Sequence, residues 1–309
     1  MGMLMKKGGE TRVSLAANNL LGRSSACTIR VDTPRASAEH ARIGYRDGCW
    51  TVRDLGSRNG TFLNGERLEA GGSRKLKPGD ELALGDPTAM WTLLDISPPV
   101  PMARNLRTDT LLAGTTGLLP LPSPEDPRFC VVEGEGGAWY VEAEGHAKGA
   151  KDGEIIDVDG EPYMLHLPVP TTETAEPDRA VRAHEVELQF RVSRNEEAVE
   201  LSVVAEVDTR VLAPRSHHYM LLTLARVRVR DMDDVHLSPA QRGWVMVDEL
   251  CRMLATDENK LNVEIYRIRQ EMNAFGLANA AAIVERRRGS RQLRLGTERI
   301  TIASLDSAP

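Results

Sequence analysis

Ser57-Arg58-Asn59 sets a hydroxyl, a guanidinium and an amide side by side, directly before Gly60. Such groups suit the capture of a phosphate and the peptide beside it, because guanidinium and hydroxyl donors match phosphate oxygens. Two Asn-Gly pairs, Asn59-Gly60 and Asn64-Gly65, flank the short apolar run Thr61-Phe62-Leu63. Asn-Gly is the strongest short-range turn signal, since both residues tolerate positive φ cheaply. A rigid loop tip is therefore expected from Asp54 to Gly65. Taken alone, the segment is equally consistent with an ordinary polar hairpin.

Upstream residues shift that balance. Leu21-Gly22-Arg23-Ser24 follows an apolar stretch, and Ser37-Ala38-Glu39-His40-Ala41-Arg42-Ile43 comes soon after. Gly-Arg, Ser-x-x-His, Ser-x-Asn-Gly-Thr and Asn-Gly, in that order and spacing, resemble the forkhead-associated (FHA) domain over about residues 10–97. The resemblance implies an all-β sandwich whose loops bind phosphothreonine peptides. It assigns phosphopeptide contacts to Arg23, Ser37, Ser57, Arg58 and Asn59. It assigns support of the binding loops to Gly22, His40, Gly60, Thr61 and Asn64, so His40 is structural and not catalytic. Ala38 stands where the family usually has a basic residue, so one charge contact is missing.

Stepping outward, short strand-like runs fit such a sandwich: Thr28–Val31, Ala41–Tyr45, Trp50–Asp54, Glu81–Leu84 and Met90–Asp95. Prolines at 98, 99 and 101 read as an extended spacer, and a Pro-rich linker without regular structure is expected over residues 98–128. A small β segment is expected over 129–168. Trp139-Tyr140-Val141-x-x-x-Gly145 echoes Trp50-Thr51-Val52-x-x-x-Gly56, so it is either a degenerate FHA-like unit or, the favoured reading, a few hairpins packed on a neighbour. Residues 169–184 form an acidic linker, where Thr171, Thr172 or Thr174 could be phosphorylated and dock on the first domain; an inert linker is the favoured alternative.

Residues 185–303 change character. Strands are expected at Val186–Val192, Val199–Val204 and Thr209–Leu212, and helices from His217 to about Ala225, over Trp244–Ala255, and from a Thr256-Asp257 cap to Phe275. The third helix carries an apolar stripe, Leu261, Ile265, Ile268, Met272 and Phe275, and an opposite face with Asn262, Tyr266, Arg267 and Gln270. Two strands around a basic turn, Arg286-Arg287-Arg288-Gly289-Ser290-Arg291, make a wing. The whole resembles the winged-helix output domain of OmpR/PhoB-type response regulators. That resemblance implies double-stranded DNA as a partner, with Arg267 and Arg269 in contact, Asn262, Tyr266 and Gln270 facing bases, and Arg286, Arg287, Arg288 and Arg291 on phosphate or in the minor groove. Glu264 and Glu271 depart from the family's basic positions, and residues 257–299 hold nine basic against six acidic side chains. A monomer should therefore bind DNA weakly, and a homodimer on two half-sites is the natural remedy.

Composition narrows the classes. The 309 residues carry a net charge of −6, distributed as +3 over 1–97 (14 basic, 11 acidic), −8 over 98–184 (7 and 15) and −1 over 185–309 (18 and 19). Four scattered cysteines without C-x-x-C argue against a zinc ribbon and fit a reducing compartment. The seven histidines lack metal-ligand spacing, and adjacent His217-His218 are expected on different helix faces, so no metal and no cofactor are expected. No apolar run reaches the roughly 18 residues of a membrane span, which leaves no membrane partner and a cytoplasmic location. Nucleotide, zincin and nucleophile-elbow motifs are absent, so no enzyme is expected. Two functions remain. One is a phosphorylation-responsive transcriptional regulator that binds a phosphothreonine protein of a Ser/Thr-kinase pathway. The alternative is a non-catalytic adaptor in such a pathway, its winged helix serving protein contacts.

Overall fold

A computed structural model describes residues 1–168, 181–206 and 208–305. The acidic linker at 169–180, with its three threonines, lies outside them. The chain divides into two compact units. One comprises Met1–Ala113, Asp152–Ile156 and Tyr163–Thr174, the other Gly114–Lys151, Asp157–Pro162 and Ala175–Pro309.

The first unit is built on two facing β-sheets. A six-stranded sheet has the order Arg12–Ser14, Met3–Lys6, Met90–Asp95, Glu81–Leu84, Thr61–Leu63, Glu66–Arg67. A five-stranded sheet has the order Ile29–Arg30, Asn18–Gly22, Ala41–Arg46, Cys49–Asp54, Ser73–Lys75. Inward-facing residues alternate along these strands. Leu4, Leu21, Ile43, Trp50, Val52, Leu82, Trp91 and Leu93 make one buried cluster between the sheets. Asn64 and Gly65 both take positive φ (53° and 82°), the requirement of a tight two-residue hairpin between Thr61–Leu63 and Glu66–Arg67. Met3–Lys6, outside the expected boundary at residue 10, pairs antiparallel with Met90–Asp95 and belongs to the sandwich.

Residues 98–128 are not a structureless linker. Met102–Asn105 and Leu111–Ala113 form a sheet with Glu161–His166 and Ile155–Val158. Leu118–Pro122 opens a second sheet that continues through Pro127–Glu133, Trp139–Ala143 and His146–Ala150. Proline cannot donate to a ladder, which favours a break in structure. Here Pro120 and Pro122 lie on the outermost strand, where a missing N–H is tolerated. The expected segment 129–168 is therefore split between two separate sheets, not one FHA-like sandwich.

In the second unit, Thr209–Leu212, Val199–Val204, Glu187–Val192 and Ile300–Ser304 form a four-stranded sheet, the last pair parallel. Helices α1 (His217–Met232), α2 (Val247–Met253) and α3 (Glu258–Phe275) follow. Asp257 caps α3 through Lys260 N–H at 2.8 Å, and Gly276, at φ 108°, ends it. Val245–Met246, Gln292–Leu295 and Val284–Arg286 make a three-stranded sheet beside the helices. Leu261, Ile265, Ile268 and Met272 are buried with Phe190, Leu201, Leu221 and Leu224 in the core. Among the described residues no helix is long and apolar enough to cross a membrane. All four cysteines are free thiols.

Candidate functional site: the loop crown of the first unit

Three loops meet at one end of the sandwich. Gly22 N-terminal to Arg23 is needed for contact: a Cβ there would lie 2.2 Å from the Ala38 carbonyl oxygen. Close approach of backbones is a glycine task. Arg23 N–H then donates to the Ser37 carbonyl at 3.0 Å, and Arg23 Nε donates to the Ala36 carbonyl at 2.6 Å. The Nε bond orients an exposed guanidinium whose terminal nitrogens have no protein partner among the described residues. Ser37 Oγ accepts from Arg58 N–H at 3.2 Å, and Asn59 Nδ2 donates to the Arg35 carbonyl at 2.8 Å. Arg23, Ser37, Arg58 and Asn59 are thus joined in one crown.

His40 lies beneath it, buried and bonded in three directions. Its Nδ1 accepts from Ser37 N–H at 2.9 Å, which leaves Nε2–H to donate to the Gly60 carbonyl at 3.1 Å. Its backbone N–H donates to Leu21 at 2.8 Å. Burial holds the imidazole below its ordinary pKa, against the opposing pull of the Gly60 carbonyl and Asp54. A neutral ring in one tautomer therefore ties the three loops together.

Asp54 was not singled out in the sequence, yet it organises the loop tip. Its Oδ2 accepts from Gly56 and Ser57 N–H at 2.9 and 3.0 Å, and its Oδ1 from the Ser57 and Thr61 hydroxyls at 2.6 and 2.7 Å. Burial pushes its carboxyl up, but these hydrogen bonds outweigh that and bring it below the usual carboxylate range. Ser57 needs a correction. Its hydroxyl donates to Asp54 and accepts from Gly60 N–H at 3.0 Å, so it braces the loop and is not a free phosphate ligand. An Asp that accepts from the N–H two residues on, here Gly56, makes an Asx turn, the one local signal that could have pointed to this inward-facing loop. Asn64 Nδ2 donates to Asp80 at 2.9 Å and its Oδ1 accepts from Glu81 N–H at 2.8 Å, fixing the far hairpin. Arg67, also not anticipated, lies across Gly60: a Cβ there would approach its Nε to 2.3 Å.

The expected DNA-facing residues have different surroundings. α3 buries a second face against the 118–150 sheet, where Tyr266 packs with Leu118, Cys130, Val132 and Ala281. Arg269, 1% exposed, donates to both oxygens of buried Glu142 at 2.7 and 3.1 Å. Arg286 Nε donates to the same carboxylate at 2.9 Å and its Nη2 to Asn262 at 2.6 Å. Burial would raise the Glu142 carboxyl, but the two guanidiniums hold it below its ordinary value. Gln270 donates to the Tyr266 hydroxyl at 2.7 Å, and Arg288 both stacks on and donates to Tyr140. Arg291 is paired with Glu258 at 2.6 Å and Asp248 at 3.2 Å, and Arg287 sits over Trp244. Of these nine residues only Arg267, Arg287 and Arg288 are exposed. Asn262, Tyr266, Arg269, Gln270 and Arg286 are not presented to a groove. A polar stripe on a helix reads the same whether water, DNA or another part of the chain covers it.

Residues 19–85 match the FHA domain family model, and this part of the chain is an FHA domain. The chain is 36% identical over 86 residues to the probable serine/threonine-protein kinase fhkA of Dictyostelium discoideum, covering 25% of this chain and 14% of that protein. It is 42% identical over 55 residues to the FHA domain-containing protein FhaB of Mycolicibacterium smegmatis, covering 18% and 36%. It also resembles the solved N-terminal FHA domain of S. cerevisiae Rad53p in complex with a phosphothreonine peptide, at 26% identity and a TM-score of 0.26, covering 30% of this chain and 89% of that one. The chain thus spans well under half the length of these curated relatives.

Proposed function

We propose that this protein is a non-catalytic reader of phosphothreonine in a Ser/Thr-kinase pathway, working in the cytoplasm. The observation that carries this reading is the oriented, unpaired Arg23 guanidinium beside Ser37, Arg58 and Asn59, in an FHA domain. A phosphothreonine brings about −1.5 to −2 charges and three acceptor oxygens. Charge-assisted hydrogen bonds contribute about 1.5–3 kcal/mol each, so Arg23 alone separates phosphorylated from plain peptide by roughly one to two orders of magnitude. Ser37 and Arg58 would add to that anion site, and the Asn59 amide would hold the ligand backbone. Calorimetry with paired phosphorylated and unmodified threonine peptides tests it, and equal affinities would sink it.

For the second unit, three helices followed by a β-hairpin support a winged-helix reading. The adaptor alternative is favoured over the DNA-binding regulator by one observation: the face of α3 that would enter a groove already holds Glu142. A gel-shift titration across salt separates the two. Absence of DNA binding even at low salt fits the adaptor. Salt-dependent binding lost in Arg267→Ala and Arg288→Ala variants would restore the regulator.

A further inference from the structure

The expectation that His217 and His218 face apart is not met. Ser216 precedes α1, so both histidines sit in its first turn, and their rings stand edge to face with centroids 4.9 Å apart. His218 Nε2 lies 2.8 Å and His217 Nε2 3.0 Å from one atom, Oε2 of Glu271 on α3. All three ligand atoms fall within 4.8 Å of one another, in a setting where both imidazoles are buried and Glu271 is half-buried. We propose that His217, His218 and Glu271 form a site for one divalent transition-metal ion of the zinc class, clamping α1 to α3.

Two imidazole nitrogens and one carboxylate oxygen are a donor set that zinc and its neighbours favour. Ligands on one tetrahedral zinc at about 2.0–2.2 Å stand ~3.3–3.6 Å apart, so each histidine–Glu271 separation needs to open by only about half an ångström. A metal-bound neutral imidazole must carry its proton on the other nitrogen. His218 Nδ1 is buried and makes no hydrogen bond, so it can take the proton, and a metal at Nε2 would replace the present hydrogen bond to Glu271.

The test uses the full chain, stripped with chelator and dialysed, then titrated with Zn(II) by calorimetry and with Co(II) by visible absorption. Expected are about one equivalent of Zn(II), a raised unfolding midpoint, and Co(II) d–d bands of a low-coordinate nitrogen-oxygen site. His218→Gln and Glu271→Gln should weaken binding by more than ~10-fold, whereas exposed His236→Ala should not change it. Circular dichroism in chelator establishes that the variants fold; should either fail, the wild-type stoichiometry and Co(II) bands decide alone. Binding below about a tenth of an equivalent, or affinity unchanged in both folded variants, would overturn the proposal and leave a hydrogen-bonded triad.

Discussion

Arginines do opposite work in the two units. In the first, Arg23 and Arg58 are exposed at a loop crown, and among the described residues only the Nε of Arg23 has a partner for its guanidinium, a backbone carbonyl. In the second, Arg269 and Arg286 share one buried carboxylate from a sheet more than a hundred residues away in sequence. An unpaired guanidinium in water is free to meet an incoming anion. One already paired in a dry interface would first have to lose its partner, and an uncompensated buried charge is costly. Availability, more than residue type, separates a binding site from a structural clamp.

The largest effect should come from breaking the clamp. Glu142→Gln leaves two guanidiniums without their carboxylate and should cost about 3–5 kcal/mol of stability in chemical denaturation. Replacing all three charges together, as Glu142→Leu with Arg269→Met and Arg286→Met, should recover most of that loss. A loss below about 1 kcal/mol in the single variant would mean that the pair is effectively solvated.

At the crown the same kind of change should act on binding alone. Arg23→Ala should weaken a phosphothreonine peptide by about 10- to 100-fold, measured by calorimetry, while stability moves by less than ~0.5 kcal/mol. An equal loss of stability would place Arg23 with the clamps. His40→Ala should mix the two outcomes: removing its hydrogen bonds to Ser37 and Gly60 should cost about 1–3 kcal/mol and weaken the peptide as well.

Acid should affect the crown in two stages. Affinity should fall first as pH drops through about 6, where the phosphate dianion takes up a proton. Asp54 is held below its unfolded pKa, so its contribution is complete above the ordinary carboxylate range and is lost as pH falls through the folded value. A peptide titration carried from pH 7 to below the ordinary carboxylate range should therefore show a second drop that Asp54→Asn abolishes. The smallest effect belongs to Arg267→Ala: this exposed α3 residue should shift stability by less than ~0.5 kcal/mol, a baseline for its buried neighbour Arg269.

Local chemistry alone made the crown readable. Asn64-Gly65 demands positive φ, Gly22 admits a crowding backbone, and Ser-x-x-His places a ring where neighbouring loops can reach it. Those requirements act over a few residues and leave their mark on residue type and spacing. The apolar stripe of α3, its Asp257 cap and its Gly276 stop are legible for the same reason. Nothing local announced that Pro120 and Pro122 would occupy an outermost strand, or that two adjacent histidines would meet one glutamate. Nor could spacing show that Glu142, one acidic residue in an acidic middle third, would cover α3. Each of those depends on which distant group arrives, and only the packed chain determines whether a polar side chain ends against water or against its own sheet.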